Sequence, residues 1–177
     1  MNKILASVIA FLMTVIVSAQ QNVTTFVGVP LKGPASIVRN ELIKKGFVLN
    51  KDYTLKGCVD GDSCTVTIDT EKGRITGLTA VNLYGTNSVI EAIEKYESLL
   101  DFYKEDGGYT EYEYNNYVQA GTIETYRRKI HKEMFYAEFF QVCEPQRFTR
   151  KLSFKLTAKY GDYRIVRCYN NSKELPL

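Results

Sequence analysis

The chain has 177 residues with four cysteines, one histidine, thirteen tyrosines, no tryptophan and a formal net charge of +3. A balance this close to neutral argues against bulk electrostatic binding to nucleic acid or an anionic membrane surface. The length suits one domain with a core that needs no structural metal.

The first residues read as a targeting segment. Lys3 supplies a positive start, and Ile4 to Val17 is an apolar run broken only by Ser7 and Thr14. Val17-Ser18-Ala19 fits a small-residue cleavage site. The run is short for a membrane span, which takes about 20 apolar residues. Residues 1–19 are therefore expected to be a signal peptide, and residues 20–177 a single α+β domain, secreted or periplasmic, with no membrane span after cleavage.

Val23 to Val29 alternates as a first strand, with Val23, Thr25, Val27 and Val29 on one face and Pro30 ending it. Gly33-Pro34 then opens a helix buried through Ala35, Val38 and Leu42, helped by Ile37 and Ile43. Gly46 is its expected left-handed stop, with Phe47 folding back onto Leu42. Three strands follow. Tyr53 to Cys58 turns at Asp60-Gly61 into Cys64 to Asp69, and Glu71-Lys72-Gly73 turns into Arg74 to Tyr84, where Gly77 marks a bulge.

Ser88 to Tyr103 is the clearest element. Val89, Ile93, Tyr96, Leu100 and Tyr103 recur at helical spacing, widened by Ile90 and Leu99. Ser88 and Glu91 have the spacing of a capping box, and Gly107-Gly108 supplies a stop. Tyr109 to Asn115 is a strand with Tyr112 and Tyr114 on one face and Glu111 and Glu113 on the other. A helix over Thr122 to Lys132 has Ile123, Tyr126 and Ile130 as its apolar positions. Met134 to Val142 is ambiguous by period, and its aromatic density favours strand. Lys151 to Lys159 and Tyr163 to Tyr169 form a hairpin about Tyr160-Gly161-Asp162, and the tail after Asn170 reads as frayed. The fold class is α+β: antiparallel sheet with helices on one face, arranged as two β-α-β-β-β units joined by a long helix.

The signal ending VSAQ, the opening TTFVGVPLKG with a helix reaching KKGF, the piece DSCTVTI and the hairpin YRIVRCYN resemble small exported proteins of unknown function from gut Bacteroidetes. The helix-then-meander order is also similar to β-lactamase-inhibitor-protein-like domains, a resemblance of topology alone. Inhibitors, envelope-assembly factors and sensor-associated binding domains make up that group, so the resemblance implies protein binding. It carries no catalytic positions.

An even cysteine count in an exported chain suggests disulfides. Of the three connectivities, Cys58–Cys64 across the Asp60-Gly61-Asp62 hairpin is favoured, which leaves Cys143–Cys168. A four-cysteine zinc site lacks the required close Cys pairs.

His131, in a basic run, is a catalytic candidate only if the fold brings it a nucleophile and an acid; it reads more simply as an exposed helix histidine. Arg127, Arg128, Lys129 and Lys132 could grip an anionic glycan or phosphate, but Glu124 and Glu133 balance them as on a solvated face. Asp60, Asp62 and Asp69 lack the ligand spacing and distal Glu of an EF-hand. Glu111 and Glu113 are neighbours on a strand rather than carboxylates flanking a cleft. No catalytic, cofactor or metal residue is assigned. Tyr109, Tyr112, Tyr114 and Tyr117, with Arg127 and Arg128, are the candidate partner-binding residues, because tyrosine is favoured at interfaces. The expected function is a non-enzymatic binding domain for a protein or peptide. A carbohydrate-binding module using exposed tyrosines and a hydrolase with an unrecognised site are the alternatives.

Overall fold

The computed structural model describes residues 24–83, 85–105, 109–111, 117–143, 148–159 and 161–172. The described residues form a small hairpin, β1 (Thr25–Phe26) with β2 (Val29–Pro30), followed by helix α1 (Ala35–Lys44). A first meander comprises β3 (Val48–Leu49), β4 (Leu55–Val59), β5 (Asp62–Glu71) and β6 (Arg74–Asn82). Helix α2 (Val89–Glu105) leads to β7 (Thr110–Glu111), α3 (Ile123–His131), β8 (Tyr136–Cys143), β9 (Phe148–Lys159) and β10 (Asp162–Ser172). The eight strands β3 to β10 make one sheet in the order β3-β4-β5-β6-β10-β9-β8-β7, antiparallel throughout. The two meanders thus meet along β6 and β10.

Turn chemistry sets the register. Asp60-Gly61 and Lys72-Gly73 both have positive φ at their two central residues (50° and 83°, 49° and 75°). That is the tight turn whose twist matches the flanking strands. The expected bulge lies beside Gly77: pairing passes from Asp69–Gly77 to Thr70–Ile75, leaving Thr76 as the extra residue.

Three rows of side chains cross the inner face of the sheet. Leu55, Val66, Ala80, Arg167, Phe154 and Ala137 form the middle row. Cys64, Asn82, Ile165 and Leu156 lie on one side of it, and Ile68, Leu78, Tyr169, Leu152 and Phe139 on the other. The buried stripe of α2 (Val89, Ala92, Ile93, Tyr96, Leu100, Tyr103) packs here. Tyr96 meets Phe154 and Phe135, and Tyr103 meets Phe139 and Phe154, as tilted or edge contacts with centroids 5.5–5.9 Å apart. Such pairs contribute roughly 0.5–1.5 kcal/mol beyond their buried area. Ile130 of α3 and Val38 and Leu42 of α1 complete one continuous core.

The helix ends follow their signals. At the end of α1, Gly46 (φ 94°) donates to the Ile43 carbonyl and Phe47 N–H to the Leu42 carbonyl, a Schellman ending. At the start of α2, Glu91 N–H donates to Ser88 Oγ at 3.3 Å. The reciprocal half of the box is relayed: Ser88 N–H donates to Thr86 Oγ1, whose hydroxyl donates to the Glu91 carboxylate at 2.5 Å. Thr86 also exchanges two backbone hydrogen bonds with Tyr163, which fixes the start of α2 to β10.

Several expectations are corrected. The first strand is not continuous, because Val27 (φ 45°) and Gly28 (φ 78°) fold it into the β1–β2 hairpin. That hairpin puts Phe26 and Val29 side by side in the core, with Phe26 against Phe47 and Tyr169. The strand that would have led the first unit therefore stays out of the sheet, and the two units match only from their helices onward. Ile37, Ile43, Ile90 and Ile123 are exposed, since each lies beyond the edge of its helix's buried stripe. The chain after Asn170 is held to Ser172: Asn171 accepts from Thr24 N–H and donates to the Leu31 carbonyl. Gly107, Gly108, Glu113, Tyr112 and Tyr114 lie outside the described residues, as does the proposed signal peptide.

The favoured disulfides are absent from the described residues. Cys58 pairs with Ser63 and Cys64 with Gly57, so adjacent ladder positions send the two thiols to opposite faces of the sheet. Cys58, Cys64 and Cys168 are free, and the thiol of Cys143 lies outside the described residues. Alkylation of the native protein should label exposed Cys58 rapidly and leave Cys64 unmodified until denaturant is added. Recovery of a Cys58–Cys64 crosslinked peptide by mass spectrometry would contradict this register.

Candidate functional site

The sequence YRIVRCYN alternates along β10 so that Ile165, Arg167 and Tyr169 share the inner face. Arg167 is thereby placed in the middle row between Ala80 and Phe154, with 1% of its surface exposed. A guanidinium buried among apolar groups needs partners, because an unpaired buried charge is strongly unfavourable. Arg167 reaches toward the β4–β5 turn to find them. Its Nη1 donates to Asn82 Oδ1 at 2.7 Å, and its Nη2 lies 3.5 Å from Asp62 Oδ2. Asn82 Nδ2 in turn donates to Asp62 Oδ2 at 3.1 Å, and Lys95 of α2 donates to the other Asp62 oxygen. Helix, first meander and second meander are thus joined through one carboxylate.

One group in this cluster is left over. Arg167 Nε has no hydrogen-bond partner among the described residues; its nearest carboxylate oxygen is Asp60 Oδ2 at 3.8 Å. Asp60 sits in the hairpin turn with its side chain 55% exposed. Between that turn and α2 lies a cleft of about 260 Å³. Asp60, Asp62 and Arg167 line it from the sheet, and Lys95, Ser98, Leu99 and Phe102 from α2. Phe102 is 59% exposed, although its neighbour Tyr103 packs edge-on against it from the core. A second cleft of about 200 Å³ lies toward the start of α2, and Lys95 borders both.

Protonation states follow from this packing. Burial opposes ionisation of Asp62, but the hydrogen bond and charge of Lys95, the charge of Arg167 and the Asn82 amide outweigh it and hold the carboxyl below its ordinary value. Burial pushes the Cys64 thiol up to about 11, with Arg167 only partly offsetting it. Cys64 is a protonated core residue here and not a nucleophile, since the thiolate is the reactive form. Burial, then the contact with Tyr103, raises Tyr169 well above the usual phenol range.

A second polar group lies on the outer face. Glu138 and Ser153 are opposite one another and buried. Glu138 accepts a hydrogen bond from the Tyr136 hydroxyl and forms an ion pair with Lys151. These groups satisfy one another and stabilise the β8–β9 ladder.

The candidates from sequence are dispersed. Tyr109 is half-buried and packs edge-on against Tyr103, so it belongs to the core margin. Tyr117 is 44% exposed but lies under Lys104, whose Nζ is 5.0 Å from the ring centroid. Arg127 pairs with Glu124 on its own helix and Arg128 is exposed beside it, as expected of a solvated face. His131 is exposed at the end of α3 and borders neither cleft. Asp60 and Asp62 face cations, while Asp69 sits far along β5 and accepts from Thr79. Among the described residues, no three His, Cys, Asp or Glu side chains are grouped to hold a metal. Lys95, Phe102 and Arg167 were not anticipated. For Arg167 a signal exists, since a charged residue two positions from apolar neighbours on both sides lies on a buried strand face.

No protein-family model, curated protein or solved structure matches the chain.

Truncating the two members of the cluster should have unequal cost. Asp62→Ala leaves the buried Arg167 with its Asn82 hydrogen bond and the longer contact to exposed Asp60, and should lose about 3 kcal/mol in urea unfolding. Arg167→Met leaves Asp62 with Lys95 and Asn82 and fills the space, so its loss should be distinctly smaller. Equal losses would show that the pair is not organised around Asp62.

The same carboxylate predicts a pH profile. A folded-state value below the unfolded one contributes stability that is complete above the unfolded value of about 3.9 and disappears as pH falls through the folded value. The stability gap between wild type and Asp62→Asn should be constant above about pH 5 and narrow progressively below about pH 4. A gap that widens on acidification would reverse the sign argued here.

Proposed function

We propose that this chain is an exported, non-enzymatic binding domain whose partner is a protein or peptide. Export follows from the Lys3 start, the Ile4 to Val17 apolar run and the small residues at Val17-Ser18-Ala19. The single observation that supports binding is Phe102. It is a large aromatic ring held 59% exposed in a cleft that is also lined by Asp60, Asp62, Lys95 and Arg167. An aromatic anchor beside a pre-arranged polar floor is the arrangement in which a few residues supply most of an interface's affinity. The floor is already ordered by the Lys95–Asp62–Arg167 network, so a partner does not have to order it on docking.

Affinity capture from envelope extract, run in parallel with wild type and Phe102→Ala, tests this. Wild type should retain a defined polypeptide that the variant binds about tenfold more weakly. Retention that is unchanged in the variant, or nothing retained by wild type, would count against it.

A further inference from the structure

We infer that the segment this cleft takes is basic, with a lysine or arginine adjacent to an apolar residue. The inference deepens the binding-domain reading and rests on it.

Three observations around the cleft converge. The first is charge. Asp60 carries an exposed carboxylate whose nearest cationic atom is the sheltered Arg167 Nε, 3.8 Å away. Beside the cleft-lining positions Lys95, Ser98, Leu99 and Phe102, helix spacing puts Glu94, Asp101 and Glu105 on the neighbouring stripe, all exposed. Lys95, the one lysine lining the cleft, is held by Asp62. Asp60 and Asp62 are matched by Arg167 and Lys95, so the net negative charge at the rim comes from the exposed Glu94, Asp101 and Glu105.

The second is the apolar wall. Leu99 and Phe102 offer a surface for an aliphatic stem or ring, and a cation over the Phe102 face gains further attraction.

The third is Arg167. Its side chain lines the cleft, 1% exposed, and among the described residues its Nε–H has no hydrogen-bond acceptor, only the longer ion-pair contact with Asp60 at 3.8 Å. A buried donor without an acceptor is unfavourable. A backbone carbonyl is an acceptor that adds no negative charge beside Asp60 and Asp62, which a carboxylate ligand would do. An extended peptide supplies all three features at once: a carbonyl for Arg167, a cation for Asp60 and an apolar side chain for Phe102.

The test selects a displayed library of random short peptides against the full chain, then measures recovered peptides against wild type, Phe102→Ala and Asp60→Asn. Asp60 lies at φ 50°, a conformation asparagine accepts, so Asp60→Asn removes charge without disturbing the turn. Recovered peptides should place Lys or Arg next to an aliphatic or aromatic residue. Their affinity should fall about tenfold in each variant and weaken with added salt. Enrichment of acidic or uncharged peptides, no enrichment, or equal binding to Asp60→Asn would overturn the inference. Displacement of a bound peptide by an equal concentration of spermidine would also overturn it, since the cleft would then be a site for small polycations. If the envelope partner depends on Phe102 while Asp60→Asn binds it as well as wild type, the basic segment is excluded and the binding-domain reading stands. If wild type captures nothing, the reading itself fails.

Discussion

The fold depends on burying one cation. Arg167 occupies the middle row of the inner sheet face, a row otherwise made of Leu55, Val66, Ala80, Phe154 and Ala137. Small Ala80 beside it leaves room for the long side chain to lie along the sheet. The guanidinium can be tolerated only if Asn82 and Asp62 stay where they are, which fixes the register of β5, β6 and β10 together. Lys95 then binds the same carboxylate from above and ties α2 to that register. Hydrophobic burial supplies most of the stability of such a domain, but it is non-directional. The polar cluster supplies direction, because a one-residue slip of β10 would turn Arg167 to the opposite face.

That requirement also shapes the surface. Arg167 must extend to the β4–β5 turn for its partners, and Asp60 and Asp62 must be at that turn to meet it. The cleft beside α2 is therefore edged by charges whose positions are set by core packing and not by the solvent. Phe102 faces this edge because it follows Leu99 by three residues and stands one position ahead of Tyr103, which takes the buried place. Of the two adjacent aromatics, Phe102 faces outside and Tyr103 joins Tyr96 in the core.

Much of this architecture is legible in the residues. The stripe from Val89 to Tyr103, the Asp60-Gly61 and Lys72-Gly73 turns, the Gly46-Phe47 helix ending and the alternation in β9 all follow from local periodicity or turn chemistry. What local rules missed is non-local. The β1–β2 hairpin looks like one strand, since Val27 is a strong strand former; it folds back because Phe26 finds Phe47 and Tyr169, and Thr24 finds Asn170 and Asn171. The Cys58–Cys64 pairing looked natural across a tight turn, but a two-residue loop sets Cys58 opposite Ser63, and neighbouring ladder positions point apart. The cleft was only half visible. Alternation in YRIVRCYN marks Arg167 as inward-facing, whereas nothing local says that Asp62 and Lys95 will meet it. The tyrosines, conspicuous in composition, are partly spent on the core through Tyr96, Tyr103 and Tyr169.

The arrangement of strands has a consequence for how the chain becomes a domain. β10 is the last of the described strands along the chain, yet it lies at the centre of the sheet between β6 and β9. Until it arrives, β6 is an open edge with unpaired backbone groups, the state in which strands recruit other chains. The Arg167 that completes the polar cluster arrives on that same strand, and so does Asn171, which holds the opening hairpin. Contacts between residues this far apart in sequence form slowly. A chain emerging from its amino end must therefore hold a half-built sheet until β10 has been delivered, and the closing of the β6–β10 seam joins both halves in a single step that follows all the other strands described.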